Sequence, residues 1–153
     1  MIEVKKRNIW FKRILLTGLV LLIASGIAIW YIFTEKFTDT STEPAVYTVN
    51  AMDFIKEFQD NENLSNKKYT EKIITVNGRI TETEAADTTI NIKMRDTITD
   101  AYIIFAFQQQ HLKEAKQFKE GDSVSIKGSC SGGTYSKILE AASITFKRCT
   151  VNK

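Results

Sequence analysis

Apolar positions along this chain fall into three successive patterns. From Ile14 to Phe33, ILLTGLVLLIASGIAIWYIF, twenty residues pass without a charge. This run predicts one membrane-spanning helix: at about 1.5 Å rise per residue it covers the roughly 30 Å hydrocarbon core, and a helical backbone leaves no polar group unpaired in lipid. The polar stretch TEKFTDTSTEPAVY carries the single proline, Pro44, and predicts a linker over residues 34–47. The period then becomes helical. Asn50 is placed to cap a helix, Asp53 falls in its first turn, and Met52, Phe54, Ile55 and Phe58 form an apolar face onto which Val49 can staple. A second short helix is predicted from Asn61 to Tyr69.

Period two takes over at residue 72. In KIITVNGRITE, Ile74, Val76, Gly78 and Ile80 share one face and Thr75, Asn77 and Arg79 the other; in TTINIKMR, Ile90, Ile92 and Met94 point inward. AYIIFAFQ is apolar throughout and predicts a strand covered on both faces, and QQQHLKEAKQF returns to a helical period. Gly121-Asp122 turns the chain into a fourth strand carrying Val124, Ile126, Gly128 and Cys130 on one side. Gly132-Gly133 predicts a hairpin turn, and Ile138 to Phe146 a fifth strand. Three strands, a helix and two strands is the order of a five-stranded OB-fold barrel, whose closure removes exposed edges. The expected class is mainly β with flanking helices (α+β), in one domain over residues 48–153, behind the single transmembrane helix.

Charge orients this arrangement. Lys5, Lys6, Arg7, Lys12 and Arg13 precede the apolar run, whereas Glu35, Lys36 and Asp39 follow it, so the positive-inside rule places residues 1–13 in the cytoplasm and the folded part outside. A cleaved signal peptide is the competing reading, since Gly26 and Ala28 are small residues suited to a cleavage site. The run continues through Trp30, Tyr31 and Phe33, however, longer than a secretory core needs. Ile27, not cysteine, follows Ala24-Ser25-Gly26, which argues against lipid acylation. The chain carries net +3, yet residues 34–153 hold 16 Lys and Arg against 17 Asp and Glu. The exported part therefore lacks the concentrated positive charge of a sequence-independent nucleic-acid binder.

Candidate chemistry is sparse. His111 is the only histidine, which rules out multi-histidine metal sites, and its polar surroundings predict a solvated helix residue. Glu82, Glu84 and Asp87 cluster in the first hairpin without an EF-hand pattern. Arg79, Lys93 and Arg95, with Tyr102 nearby, occupy outward strand positions where OB-folds bind oligonucleotides or oligosaccharides, and they are the candidate ligand-binding residues. Phe105 and Phe107 are expected to fill the barrel. No catalytic residues, metal site or cofactor is expected. Cys130 and Cys149 invite a disulfide in an exported domain. A turn at Gly132-Gly133 nevertheless separates them by roughly 43 Å of strand at about 3.3 Å per residue, too far for a bridge.

Asn61-Glu62, Lys67-Lys68-Tyr69, Lys72, Val76, Gly78 and Ile80, followed by Glu120-Gly121-Asp122, Val124, Ile126, Gly128, Cys130 and Gly132, resemble the tRNA_anti-like OB-fold family of bacterial exported proteins over about residues 48 to 146. The resemblance implies an OB-fold like that of anticodon-binding domains, in a bacterial cytoplasmic membrane. It does not by itself imply tRNA as ligand, which an exported domain would not meet. The expected function is a non-catalytic binding or assembly module for a protein, peptide or glycan, anchored through Ile14 to Phe33. Nucleic acid is not the expected partner, and a nucleic-acid-binding module using Lys93 and Arg95 is the alternative.

The topology is directly testable. Protease added to intact spheroplasts should digest the C-terminal domain and spare residues 1–13. A protected domain, or a soluble chain starting near Ile29, would overturn it.

Overall fold

A computed structural model describes residues 4–34 and 38–152. Contacts divide the chain into two units, Met1–Phe37 and Thr38–Lys153. The first consists of helix α1 (Val4–Thr34), within which Trp10–Phe33 is long and apolar enough to cross a membrane. An anchor and a signal sequence share that length and composition. Two of its hydroxyl groups bond back to its own backbone, Thr17 Oγ1 to the Arg13 carbonyl at 2.8 Å and Ser25 Oγ to that of Leu22 at 2.9 Å, so neither would present an unpaired donor to lipid. Glu35 and Lys36, used above to orient the helix, lie outside the described residues.

The second unit is built on one seven-stranded sheet. In chain order it comprises β1 (Tyr47–Asn50), α2 (Ala51–Asp60), α3 (Glu62–Tyr69), β2 (Ile73–Arg79), β3 (Glu82–Ala85), β4 (Ile90–Arg95) and β5 (Tyr102–Phe107). A 3-10 turn (Gln109–His111), the short α4 (Leu112–Ala115), β6 (Ser123–Ser136) and β7 (Ala141–Val151) complete it. Strand order is β1-β2-β6-β7-β5-β4-β3, with β1 parallel to β2, β5 parallel to β7 and the other pairs antiparallel. Strands thus dominate, with helices beside them. The count nevertheless differs from the five expected, and the order has two ends, β1 and β3, where a barrel has none. β1 was not expected at all, and the first predicted strand is divided at Ile80-Thr81.

The cap at Asn50 forms as its sequence position suggests, the side-chain oxygen accepting from the Met52 amide at 3.0 Å. α2 buries Ala51, Phe54, Ile55 and Phe58, a 3–4–7 spacing that turns Met52 out to 41% exposure, so Met52 does not belong to the apolar face. Phe54 is the hub, 4.8 Å from the Tyr69 ring, 5.1 Å from Phe58 and 5.8 Å from Phe146, which itself meets Phe105 at 5.1 Å. Ile74, Val76, Ile80, Ile90, Ile92, Met94, Ile103, Phe105 and Ile126 complete the core, as strand parity requires. The β5 strand is covered on one face only: Tyr102, Ile104 and Ala106 are half-buried, because that side carries the polar residues of neighbouring β4.

The last hairpin differs most from expectation. Gly132 and Gly133 lie inside β6, pairing with Thr145 and Ile144, and the chain turns at residues 137–140 instead. A register shift between Cys130 and Gly132, with Gly132 at φ 99°, makes this a bulge. The later turn brings β7 back alongside: Cys130 sits opposite Phe146, and Cys149 packs on Gly128 two residues away on Cys130's own strand. The large separation computed for the two cysteines therefore does not hold. Both thiols are unbridged and buried, and burial pushes Cys130 up to about 11 and Cys149 well above its ordinary value.

The expected linker is also partly docked. Residues 35–37 lie outside the described part, but Thr40 is buried, and Lys127 Nζ donates to the Ser41 and Glu43 carbonyls at 2.9 Å each. Val46 N donates to the Ile73 carbonyl at 2.8 Å.

Burial predicts a clear contrast. Ile126→Ala should cost about 2–5 kcal/mol in urea unfolding of the detergent-solubilised chain. Ile138→Ala, at a position 94% exposed, should stay within about 0.5 kcal/mol. Equal losses would place Ile126 outside the core.

Candidate functional site

Register places the outward residues of three strands side by side. Glu82 of β3 faces Lys93 of β4, and Arg95 faces Tyr102 of β5. Lys93 Nζ forms ion pairs with Glu84 and, at 3.5 Å, with Glu82, and its side chain is only 14% exposed. Arg95 reaches Glu82 at 3.4 Å and Asp100 at 3.7 Å, with its guanidinium 5.5 Å from the Tyr102 ring centre. The hydrogen bond from Lys93 holds the Glu84 carboxyl below its usual range, and the same bond raises Lys93. The structure therefore brings Lys93, Arg95 and Tyr102 together, and brings Glu82 and Glu84 to them as counter-charges. The acidic cluster expected in the first hairpin is half of an ion-pair network. Among the described residues no three His, Cys, Asp or Glu side chains are grouped to hold a metal ion.

Arg79 stands apart from that network. It is the last residue of β2, and its Nε donates to the Gly121 carbonyl at 2.7 Å. With Arg95 it borders a cleft of about 740 Å³ between the start of α2, β2 and the start of β6; Met52, Asn77, Ser123 and Ser125 also line it. That volume lies in the range of small-ligand sites. Gly78 also lines the cleft, and a Cβ there would meet the buried Met94 Sδ at 2.6 Å and Ala51 Cβ at 2.7 Å. Sequence reading missed Met52, assigned to the core, and the polar trio Asn77, Ser123 and Ser125. The available signal was their shared parity opposite Val76, Val124 and Ile126.

His111 is not solvated. Its side chain is 15% exposed, with Nε2 2.9 Å from Asp39 Oδ1 and Nδ1 3.8 Å from Glu114 Oε2. The His111 bond, followed by the Ser41 amide, holds the Asp39 carboxyl far below the carboxylate range. Asp39 therefore stays charged throughout the physiological range. Seventy-two positions separate the two residues, so no local pattern could reveal the pair.

Comparisons with known proteins bear on the family and the overall fold. The tRNA_anti-like family model matches residues 4–143, and the chain belongs to that family. A candidate nucleic acid-binding lipoprotein from Klebsiella pneumoniae has a similar fold: TM-score 0.56 at 18% identity, over 72% of this chain and all of that one. Asparaginyl-tRNA synthetase from Pyrococcus horikoshii aligns at TM-score 0.37 and 13% identity, over 56% of this chain and 20% of its own. A candidate aspartyl-tRNA synthetase from Leishmania major Friedlin aligns at TM-score 0.43 and 10% identity, over 77% and 22%. No curated protein matches the chain.

Neutralisation of the β3–β4 face is testable. Glu82→Gln with Glu84→Gln should release Lys93, leave Arg95 paired only with Asp100, and strengthen single-stranded RNA binding roughly five-fold or more at 50 mM salt, as at least one added phosphate contact implies. Anisotropy measures this, and unchanged binding would show that the face does not meet the probe.

Proposed function

We propose that this chain is a membrane-anchored, extracytoplasmic OB-fold module with no catalytic activity, recognising a protein, peptide or glycan. The observation that supports this choice of partner is the pairing of Lys93 and Arg95 with Glu82, Glu84 and Asp100. A phosphate backbone would have to displace three carboxylates to reach two cations, and polyanion affinity comes mainly from uncompensated Lys and Arg. Ligand contact on this face falls to Arg95, Lys93 and Tyr102 acting as hydrogen-bonding and stacking groups, with Arg79 at its margin.

The barrel reading has its own support. β2 and β3 are separated only by Ile80 and Thr81, whose amides donate to the Asp122 and Lys93 carbonyls, both at 2.9 Å. Taken as one bent strand, β2–β3 pairs with β6 through its first half and with β4 through its second. That joins β3, at one end of the strand order, to β2, gives a ring of five strands, and leaves β1 as an addition beside β2. The charge asymmetry around Ile14 to Phe33 supports an uncleaved anchor with the N-terminus inside.

A nucleic-acid module is the second reading, favoured by the stacking of Arg95 on Tyr102 and by the description of the Klebsiella pneumoniae lipoprotein as a candidate nucleic acid binder. Anisotropy of labelled single-stranded DNA and RNA on the solubilised chain separates the two. With at most three phosphate contacts, affinity should be micromolar or weaker at 50 mM salt and fall about twenty-fold by 200 mM. Sub-micromolar binding at 200 mM, lost on Lys93→Ala with Arg95→Ala, would make the nucleic-acid reading the better one.

A further inference from the structure

We propose, resting on the binding-module reading above, that the cleft at the start of α2 receives the free C-terminal carboxylate of a peptide with an apolar last side chain, and that Arg79 is the group that recognises it. Arg79 is held in place and still has donors to offer. The Gly121 carbonyl takes its Nε at 2.7 Å, which leaves both Nη groups directed elsewhere. Among the described residues Arg79 makes no ion pair, whereas Arg95 on the same cleft is tied to Glu82 and Asp100. The cleft therefore carries one uncompensated positive charge.

That charge balance selects the ligand. A single guanidinium with two parallel donors matches one carboxylate in a two-point contact. A phosphate chain would bring further negative charge towards Glu82 and Asp100 and be repelled. The wall formed by Met52, 41% exposed, and half-buried Val124 is apolar and suits an aliphatic side chain. Asn77, Ser123 and Ser125 offer amide and hydroxyl groups able to bond peptide N–H and C=O groups, and Asn152 Nδ2 donates to Ser125 Oγ at 3.3 Å. This combination of one charge, an apolar wall and a polar rim fits a chain terminus better than a sugar, which lacks the charge, or an oligonucleotide, which has too much.

The test uses the full chain in detergent and a fluorescein-labelled Gly-Ser-Gly-Ala-Leu peptide, as the free acid and as the C-terminal amide. The acid should bind saturably and the amide at least ten-fold more weakly. Arg79→Ala should remove that difference, and Arg79→Lys, which keeps the charge but not the fork, should restore part of it. Met52→Glu adds a carboxylate in the first turn of α2, where it does not disfavour the helix, and should abolish acid binding with the fold intact. Equal binding of acid and amide, no acid binding at millimolar peptide, or acid binding indifferent to both substitutions would overturn the proposal. Displacement of the peptide by inorganic phosphate at lower concentration would overturn it too. Those outcomes leave the broader reading standing, because that reading fails separately, through salt-resistant RNA binding that depends on Lys93 and Arg95.

Discussion

The rest of the folded unit depends on how closely α2 approaches the sheet, and two glycines set that distance. A Cβ on Gly78 would lie 2.7 Å from Ala51 Cβ, and one on Gly133 would lie 2.6 Å from Phe58 Cδ1. Neither approach is one that carbon atoms tolerate, so any side chain at either position lifts one end of the helix. The contact places Phe54 between Tyr69, Phe58 and Phe146, the aromatic hub through which α2, α3 and β7 share one core. It also fixes α3. Asn66 makes two reciprocal bonds with Gly133, donating to its carbonyl and accepting from its amide, both at 2.9 Å. Ala51 and Gly78, which meet at this contact, also line the cleft.

The residues that carry the family resemblance have structural explanations. Asn61 caps α3 by accepting from the Leu64 amide at 3.1 Å, and Glu62 accepts from the Tyr135 amide at 3.0 Å, tying the helix to β6. Tyr69 lies in the core and sends its hydroxyl to Glu57 at 2.7 Å, where Lys68 closes an ion pair at 3.1 Å while lying over the Tyr69 ring. Gly128 gives room to Cys149, and Gly132 bulges β6 against Asn66. Membership of the family therefore specifies how the helices seat on the sheet. The cleft-lining Arg79, Asn77, Ser123 and Ser125 lie outside that set, whereas Gly78 and Val124, which also line the cleft, belong to it.

What was legible in the sequence follows the same division. Strand parity, the Asn50 cap and the second helix are local properties, set by side-chain alternation and by hydrogen bonds spanning two or three residues, and all three hold. The hairpin turn was misplaced because Gly132-Gly133 carries a turn's composition for a packing reason: those glycines admit Phe58 and Asn66, not a reversal. β1 escaped notice since four residues are too few for a period, and its parallel pairing with β2 crosses two helices. The counter-charges on Lys93 were in reach, since a short hairpin between Ala85 and Ile90 sets Glu82 opposite it. The Asp39–His111 contact was not, because only the tertiary fold joins residues so distant in sequence.

On the proposed function, these placements let a nearly neutral domain discriminate among ligands. On the β3–β4 face Lys93 and Arg95 are each paired with carboxylates, so charge there fixes side-chain orientation and leaves little uncompensated positive potential. At the cleft, one backbone carbonyl orients Arg79 without cancelling its charge. Specificity of this kind relies on the shape and stoichiometry of a single contact, and its intrinsic affinity is modest, since one exposed guanidinium–carboxylate pair contributes little in water. A tether compensates for weak contacts: confining the module to a surface shared with its partner raises their effective concentration, so a contact too weak in dilute solution becomes occupied there. On the proposed reading, a nearly neutral binding face and an N-terminal anchor are complementary, the anchor supplying proximity and the cleft supplying the choice.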